Sequence, residues 1–481
     1  METREIFKNL SPLDHRYARS DPGTYESLSR YLSEEAGIRY CVRVEAALLE
    51  AHLELLGAVD PTDLAQIRAL TDRVSPEDVY AEEEKTRHNI RALVNVMKST
   101  LPAHLRQYVH TGATSVDVLD TAAALRYREV AHEVVIPSVL RLLETLVKIV
   151  ENEADTPQLG RTHGQHAVPI TFGFAIAEYV ARIGKSVVRI LDCAEGVRGK
   201  LAGAVGAYNA LSLVVDDPEG FERRVLTKLG LEPSEHSTQL VEPEYLLRLF
   251  LELATCFGVI ANLADDIRNL QRSEIAEIQE MFGESQVGSS TMPQKRNPWN
   301  SEHVKSLWKA YAPRVMTFFM DQISEHQRDL TNSASGRFAA EFVAGFTFAV
   351  ERMNSVVDRL HVDRERMLRN IESAGPSLVA EAVYILLAKA GESDGHEIVR
   401  VATREAETTG RPLVECLKAH GDAWDAANAE CEKTFGVGLE HVLHEPERYS
   451  GRAATVARRI AATHRETIAR ISMRIEDRRI R

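Results

Sequence analysis

Residues 243–272 read PEYLLRLFLELATCFGVIANLADDIRNLQR. Apolar side chains recur every three or four positions along the run, and beyond Pro243 it holds a single glycine, Gly258, and no second proline. At about 1.5 Å rise per residue, a helix of this length is roughly 45 Å long. Its middle, LFLELATCFGVIANLADDI (249–267), is apolar on more than one side, which a helix with one wet face does not need. Such a helix needs equally long partners, and an antiparallel bundle supplies them.

Four further stretches share this character: 120–154, 169–201, 298–326 and 336–362. Within the last, RFAAEFVAGFTFAVERM again has more apolar surface than one chain can cover, so neighbouring copies are expected to bury it. Strand-like alternation is scarce, and the fold is expected to be all-α. An N-terminal helical domain spans 1–110, with turn and cap chemistry at VDPTD and VSPED. The long-helix bundle spans 111–363. A small helical domain, broken at SAGPS, GESDG and TGRP, spans 364–481.

Charge narrows the function classes. Lys plus Arg number 58 and Asp plus Glu 71, a net charge of −13, which disfavours a nucleic-acid partner. The basic run EDRRIR at the C-terminus is too short to change that. Cys41, Cys193, Cys256, Cys416 and Cys431 are scattered singly, as in a reducing compartment, without the pairs of a zinc site. METREIFKNL lacks the apolar core of a signal peptide, and no apolar run approaches bilayer length, so a cytoplasmic protein with no membrane partner is expected.

Four polar loops lie where long helices start or stop: KTRHN (85–89), HTGATS (110–115), GRTHGQH (160–166) and GSSTMPQKRNP (288–298). His163, just before a helix expected near Pro169, suits a proton donor, or merely a loop histidine bonded to a carbonyl. His163 and His166 lack a third ligand at metal-binding spacing. Thr114 and Ser115 read as an N-cap and equally as donors to a carboxylate. Arg87 and His88 sit at a helix start, an ordinary surface turn by itself. In GSSTMPQKRNP, Asn297 and Pro298 read as N-cap and first helical residue, which gathers Lys295, Arg296 and Asn297 at the positive end of a helix dipole. Gly288 gives the segment the freedom of a closing lid.

Together, in this order, these motifs match GSSxMPxKxNP and its companions, and the chain resembles the adenylosuccinate lyase family of the fumarase/aspartase superfamily. SPLDHRY (11–17), TRHNIRALV (86–94), ATSVDVLDTA (113–122), GRTHGQHAVPITFG (160–173), GAVGAYNA (203–210), STQLVEPE (237–244) and EHQRDLTNSASGRF (325–338) carry the resemblance over residues 11–375. It implies three helical domains, and a homotetramer whose core holds about 20 helices, with sites shared by three chains. It also implies release of fumarate from a succinylated nucleotide, with no metal and no cofactor. By the same resemblance Ser289 is the base, His163 the general acid, and Lys295 and His88 complete the catalytic set. Thr114, Ser115, Ser290, Lys295 and Asn297 would hold the succinyl carboxylates. Arg16, Tyr17, Arg328, Ser333 and Arg337 would surround the phosphate, with Gln239, Arg87, His88 and Asn89 also on the substrate. Asn89 departs from the family's His-Asp pair, which leaves room for a sister lyase acting on another N-substituted aspartate or a hydrazinosuccinate. An inactive descendant is disfavoured by the joint retention of His163, Ser289 and Lys295.

Overall fold

VDPTD and VSPED start helices as their chemistry dictates. Asp60 accepts the Thr62 N–H at 2.7 Å and Ser75 the Asp78 N–H at 3.1 Å, with Pro61 and Pro76 as first helical residues. The computed structural model describes residues 5–281, 291–292 and 294–480. Its N-terminal part holds α1 (Glu34–Leu55), α2 (Pro76–Thr86) and α3 (Asn89–Thr100), whose buried faces share a core with residues 197–231.

In the centre, α4 (Ser115–Val130) passes through a π turn, Ala131–Val135, into α5 (Ile136–Asn152). The wide turn lies just ahead of Pro137, whose missing N–H removes a helical bond. A hairpin of β1 (Pro157–Thr162) and β2 (Gln165–Thr171) leads to α6 (Phe172–Glu195) and α7 (Glu244–Leu270). Then follow β3 (Ile278–Glu280), α8 (Trp299–Tyr311), α9 (Ser333–Val357) and β4 (Leu360–Val362), which pairs antiparallel with β3. Helix α6 lies against α5 and α7, α8 against α7 and α9, and α9 returns to α5. Phe172, Phe257, Phe342 and Phe346 are fully buried in this bundle, with Phe257 and Phe346 edge-on at 5.4 Å. Each such side chain stabilises the fold by about 2–3 kcal/mol.

The structure departs from the sequence expectations in five places. The stretch from Pro169 begins as strand, and the helix starts at Phe172 behind a Thr171 cap that accepts the Phe174 N–H at 3.2 Å. The run from 298 stops at Tyr311, because Pro313 cannot continue it. Pro298, not Asn297, is the N-cap of α8, since the Pro298 carbonyl accepts the first helical bond, from the Glu302 N–H at 3.0 Å. In α7 an 18-residue window of mean hydropathy 1.7 is long and apolar enough to cross a membrane by length and composition, although 56% of it is buried inside this one chain. Finally, segment 364–481 serves two cores. Its first helix is α10 (Arg364–Ala374), and shorter helices within 379–443 form a core of their own. The last, α11 (Ala453–Ile480), instead lies along α6 and α5 and adds Ala457, Ala461, Ile471 and Ile475 to the bundle.

Candidate active site

Residues 115–152 run helically from one end of the bundle to the other, roughly 55 Å at 1.5 Å per residue. The expected site residues divide between those ends.

At the Ser115 end, HTGATS is pinned from behind: His110 Nδ1 meets the buried Glu45 at 2.5 Å and His52 Nε2 the Thr111 carbonyl at 2.9 Å. Thr114 caps α4, its N–H donating to Asp117 at 2.7 Å. His88 caps α3, where its Nδ1 accepts the Arg91 N–H at 3.3 Å and its Nε2 reaches Ser115 Oγ at 3.5 Å. Arg87 precedes it in left-handed conformation (φ 53°), and Asn89 is the first residue of α3. Two loops close over this end. The Val241 N–H donates to Asp120 at 2.9 Å, and the Gln239 N–H to the Gln327 carbonyl at 3.2 Å, beside Arg328. Gly206 permits their approach, since a Cβ there would lie 1.9 Å from the Ser237 carbonyl oxygen. Ser333 opens α9, and Arg337 lies near Tyr80 of α2, whose phenol is pushed up to about 12 by burial and Glu34 against the pull of Arg337.

Burial pushes the Asp120 carboxyl up to about 6, although the Val241 N–H, Lys200 and Arg328 all pull it down. The folded value exceeds the unfolded one, about 3.9. Asp120 therefore favours folding fully below about pH 4, and that benefit is lost as pH rises through about 6. Asp120→Asn is expected to gain about 1–3 kcal/mol at pH 7 and to flatten the stability curve between about pH 4 and 6. Denaturant unfolding at a series of pH values checks this; an unaltered slope there refutes it.

Toward the other end of the bundle, about one turn into α8, Tyr17 Oη is 2.8 Å from His303 Nε2 and its ring is 5.2 Å from Phe348. Arg352 donates to Asn300 Oδ1 at 2.9 Å and lies over Trp299 at 5.3 Å. Burial, then the Arg352 and Arg16 guanidinium groups, hold His303 below the usual histidine range. Phe348 follows Arg337 by eleven positions on α9, about 16 Å along its axis. One chain therefore does not bring Arg16 and Tyr17 to the same phosphate as Ser333 and Arg337.

At the far end, His163 and Gly164 form the two-residue tip of the β1–β2 hairpin, both left-handed (φ 55° and 72°), with Thr162 paired to Gln165. That is a type I′ turn, and histidine is among the side chains that tolerate it. His163 is exposed there. Lys295 and Asn297 lie at this same end, since Gln271, just past α7, donates to the Arg296 carbonyl at 3.0 Å. Ser289 and Ser290 fall outside the described residues.

His303, Arg352 and Asp120 escaped the sequence reading. For His303 a signal existed: it stands four residues, about one helical turn, past Trp299 at the start of α8. Among the described residues no group of three or more His, Cys, Asp or Glu side chains is placed to hold a metal ion.

A family described as "Lyase" matches residues 17–311, and one described as "Adenylosuccinate lyase C-terminal" matches 324–434. Adenylosuccinate lyase of Pyrococcus abyssi is 33% identical over 94% of this chain and 97% of its own, and that of Methanothermobacter thermautotrophicus 32% over 94% and 98%. The crystal structure of a fumarate lyase from Mesorhizobium sp. BNC1 superposes with a TM-score of 0.77 at 23% identity, covering 91% of this chain and 97% of that one. A 3-carboxy-cis,cis-muconate lactonizing enzyme from Pseudomonas putida gives 0.77 at 24%, covering 92% and 97%. The last two speak for the fold alone. With both regions matched and a third of residues identical across nearly its whole length, the chain belongs to the adenylosuccinate lyase family of the fumarase/aspartase superfamily.

Proposed function

We infer that the protein is a carbon–nitrogen lyase that removes fumarate from adenylosuccinate, giving AMP, and from SAICAR, giving AICAR, in purine nucleotide synthesis. The correspondence over 94% of the chain with relatives bearing the name adenylosuccinate lyase carries this reading. The chemistry takes a proton from the carbon beside a carboxylate and leaves a dianion, so it needs a base, preorganised donors and an acid for the departing nitrogen. Ser289 is the base by its place in the signature, and Lys295 favours its alkoxide once water is excluded. Thr114 and Ser115, at the positive end of α4, hold a carboxylate together with Ser290 and Asn297. His163 protonates the leaving nitrogen. Arg16, Tyr17, Arg328, Ser333 and Arg337 serve the phosphate, where guanidinium groups pair bidentately with its oxygens.

Two sets of site residues some 55 Å apart along one helix cannot meet within one chain. A homotetramer with antiparallel central helices unites them, with each site drawing on three chains. Exposed Met316, Phe319, Met320, Ile323, Leu330 and Phe338 supply apolar surface for such contacts. Asn89 favours a second reading, a sister lyase acting on another N-substituted aspartate or a hydrazinosuccinate, because an amide replaces the family's carboxylate beside His88.

An absorbance assay with purified protein and adenylosuccinate decides between them. Formation of AMP and fumarate is expected. Fumarate released from another succinylated amine, with none from adenylosuccinate, installs the second reading.

A further inference from the structure

We propose that Glu277 is a positioning residue for the elimination: its buried carboxylate fixes Arg161, and through Arg161 the turn that presents His163. The proposal rests on the reading of His163 as the general acid.

Glu277 has no exposure at all, yet its carboxylate is well satisfied. It accepts from Gln158 Nε2 at 2.9 Å, Arg161 Nη2 at 2.6 Å and Asn370 Nδ2 at 2.9 Å. Two of those donors belong to β1 and the third to α10. Its own backbone is held as well, the N–H by the Leu270 carbonyl at 3.0 Å and the carbonyl by the Asp363 N–H at 2.9 Å. A carboxylate anchored in this way is a fixed point at the end of the bundle.

Arg161 converts that fixed point into an orientation. It stands two residues before His163, separated from the turn by Thr162 alone, the last paired residue of β1. The hairpin register slips between Leu159 and Arg161, and the Arg161 Nη1 donates to the Leu159 carbonyl at 3.1 Å, across the irregularity. Gly160 at its centre leaves no slack, since a Cβ there would lie 2.4 Å from the Val168 carbonyl oxygen. One guanidinium therefore bridges the bulge and the buried carboxylate. The direction of the hairpin beyond it, tip included, follows from that bridge. A misplacement of about 1 Å at an acid costs on the order of 10²-fold in rate.

Glu277→Gln keeps the size of the side chain and removes the charge that Arg161 needs. With adenylosuccinate, kcat is expected to fall about 30- to 100-fold while KM stays within about 3-fold. A loss that acts through His163 disappears when His163 cannot act. In a His163→Asn background, Glu277→Gln should change the residual rate by less than about 2-fold. An unchanged kcat in the single variant, or the same fold loss in both backgrounds, overturns the proposal. Near-parental turnover by His163→Asn alone instead overturns the acid assignment, a result separate from either. Should Glu277→Gln fail to fold, Arg161→Gln carries the same cycle, because that side chain is 19% exposed and lies nearer the surface.

Discussion

His163→Asn is expected to lower kcat for adenylosuccinate cleavage by about 10²- to 10⁴-fold, the usual share of a general acid, with KM within about 3-fold. Asparagine is the informative replacement. It accepts the left-handed conformation at φ 55°, so the type I′ tip survives, and it has no proton to give at neutral pH. Alanine would confound lost chemistry with a strained turn. A kcat within 3-fold of the parent withdraws His163 from the mechanism. The same variant tests whether sites are shared. His88→Ala disables the opposite end of the bundle, so the two inactive proteins, unfolded together and reassembled, should regain turnover that neither parent has. Recovery requires sites built from the intact end of each chain; its absence in verified mixed assemblies removes the shared-site arrangement.

Lys200→Met should cost about 3–5 kcal/mol of stability, the largest single loss expected outside the apolar core. Lys200 and Asp117 are both fully buried and form an ion pair, and Lys200 Nζ also donates to the Gly203 carbonyl at 3.1 Å. Methionine fills the space but leaves the Asp117 charge without a counterion, and desolvation of a lone carboxylate outweighs the backbone N–H groups of Ala202 and Gly203 that donate to it. Asp117 also takes the Thr114 N–H, so the start of α4 is expected to loosen and KM for the diacid to rise. Adding Asp117→Asn should restore most of the stability, because both charges are then gone. Urea unfolding of the single and double variants measures each effect. A loss under 1 kcal/mol in Lys200→Met contradicts the account of a buried charged pair.

The bundle was legible in the sequence because helical periodicity is local: α5, α6, α7 and α9 each show an apolar face within their own residues. The hairpin was not, even though HAVPIT is rich in β-branched and turn-forming residues, because Pro169 also reads well as a helix start. Thr114 as a cap was legible, since hydroxyls before an apolar run act within four residues. Tyr17 with His303 was not, because 286 positions separate them and the packing of the 13–17 turn against α9, itself beside α8, brings them together. Nor did any local pattern announce that the last helix would rejoin the bundle.

That last helix has a bearing on biosynthesis. One apolar core draws on Leu13 near the start of the chain and Ile475 near its end. The ribosome releases the first long before the second, so α6 waits throughout translation with an oily seam open along its length. Completion waits for residues 453–480, and a polypeptide stalled or clipped before Ala453 would leave that seam permanently uncovered.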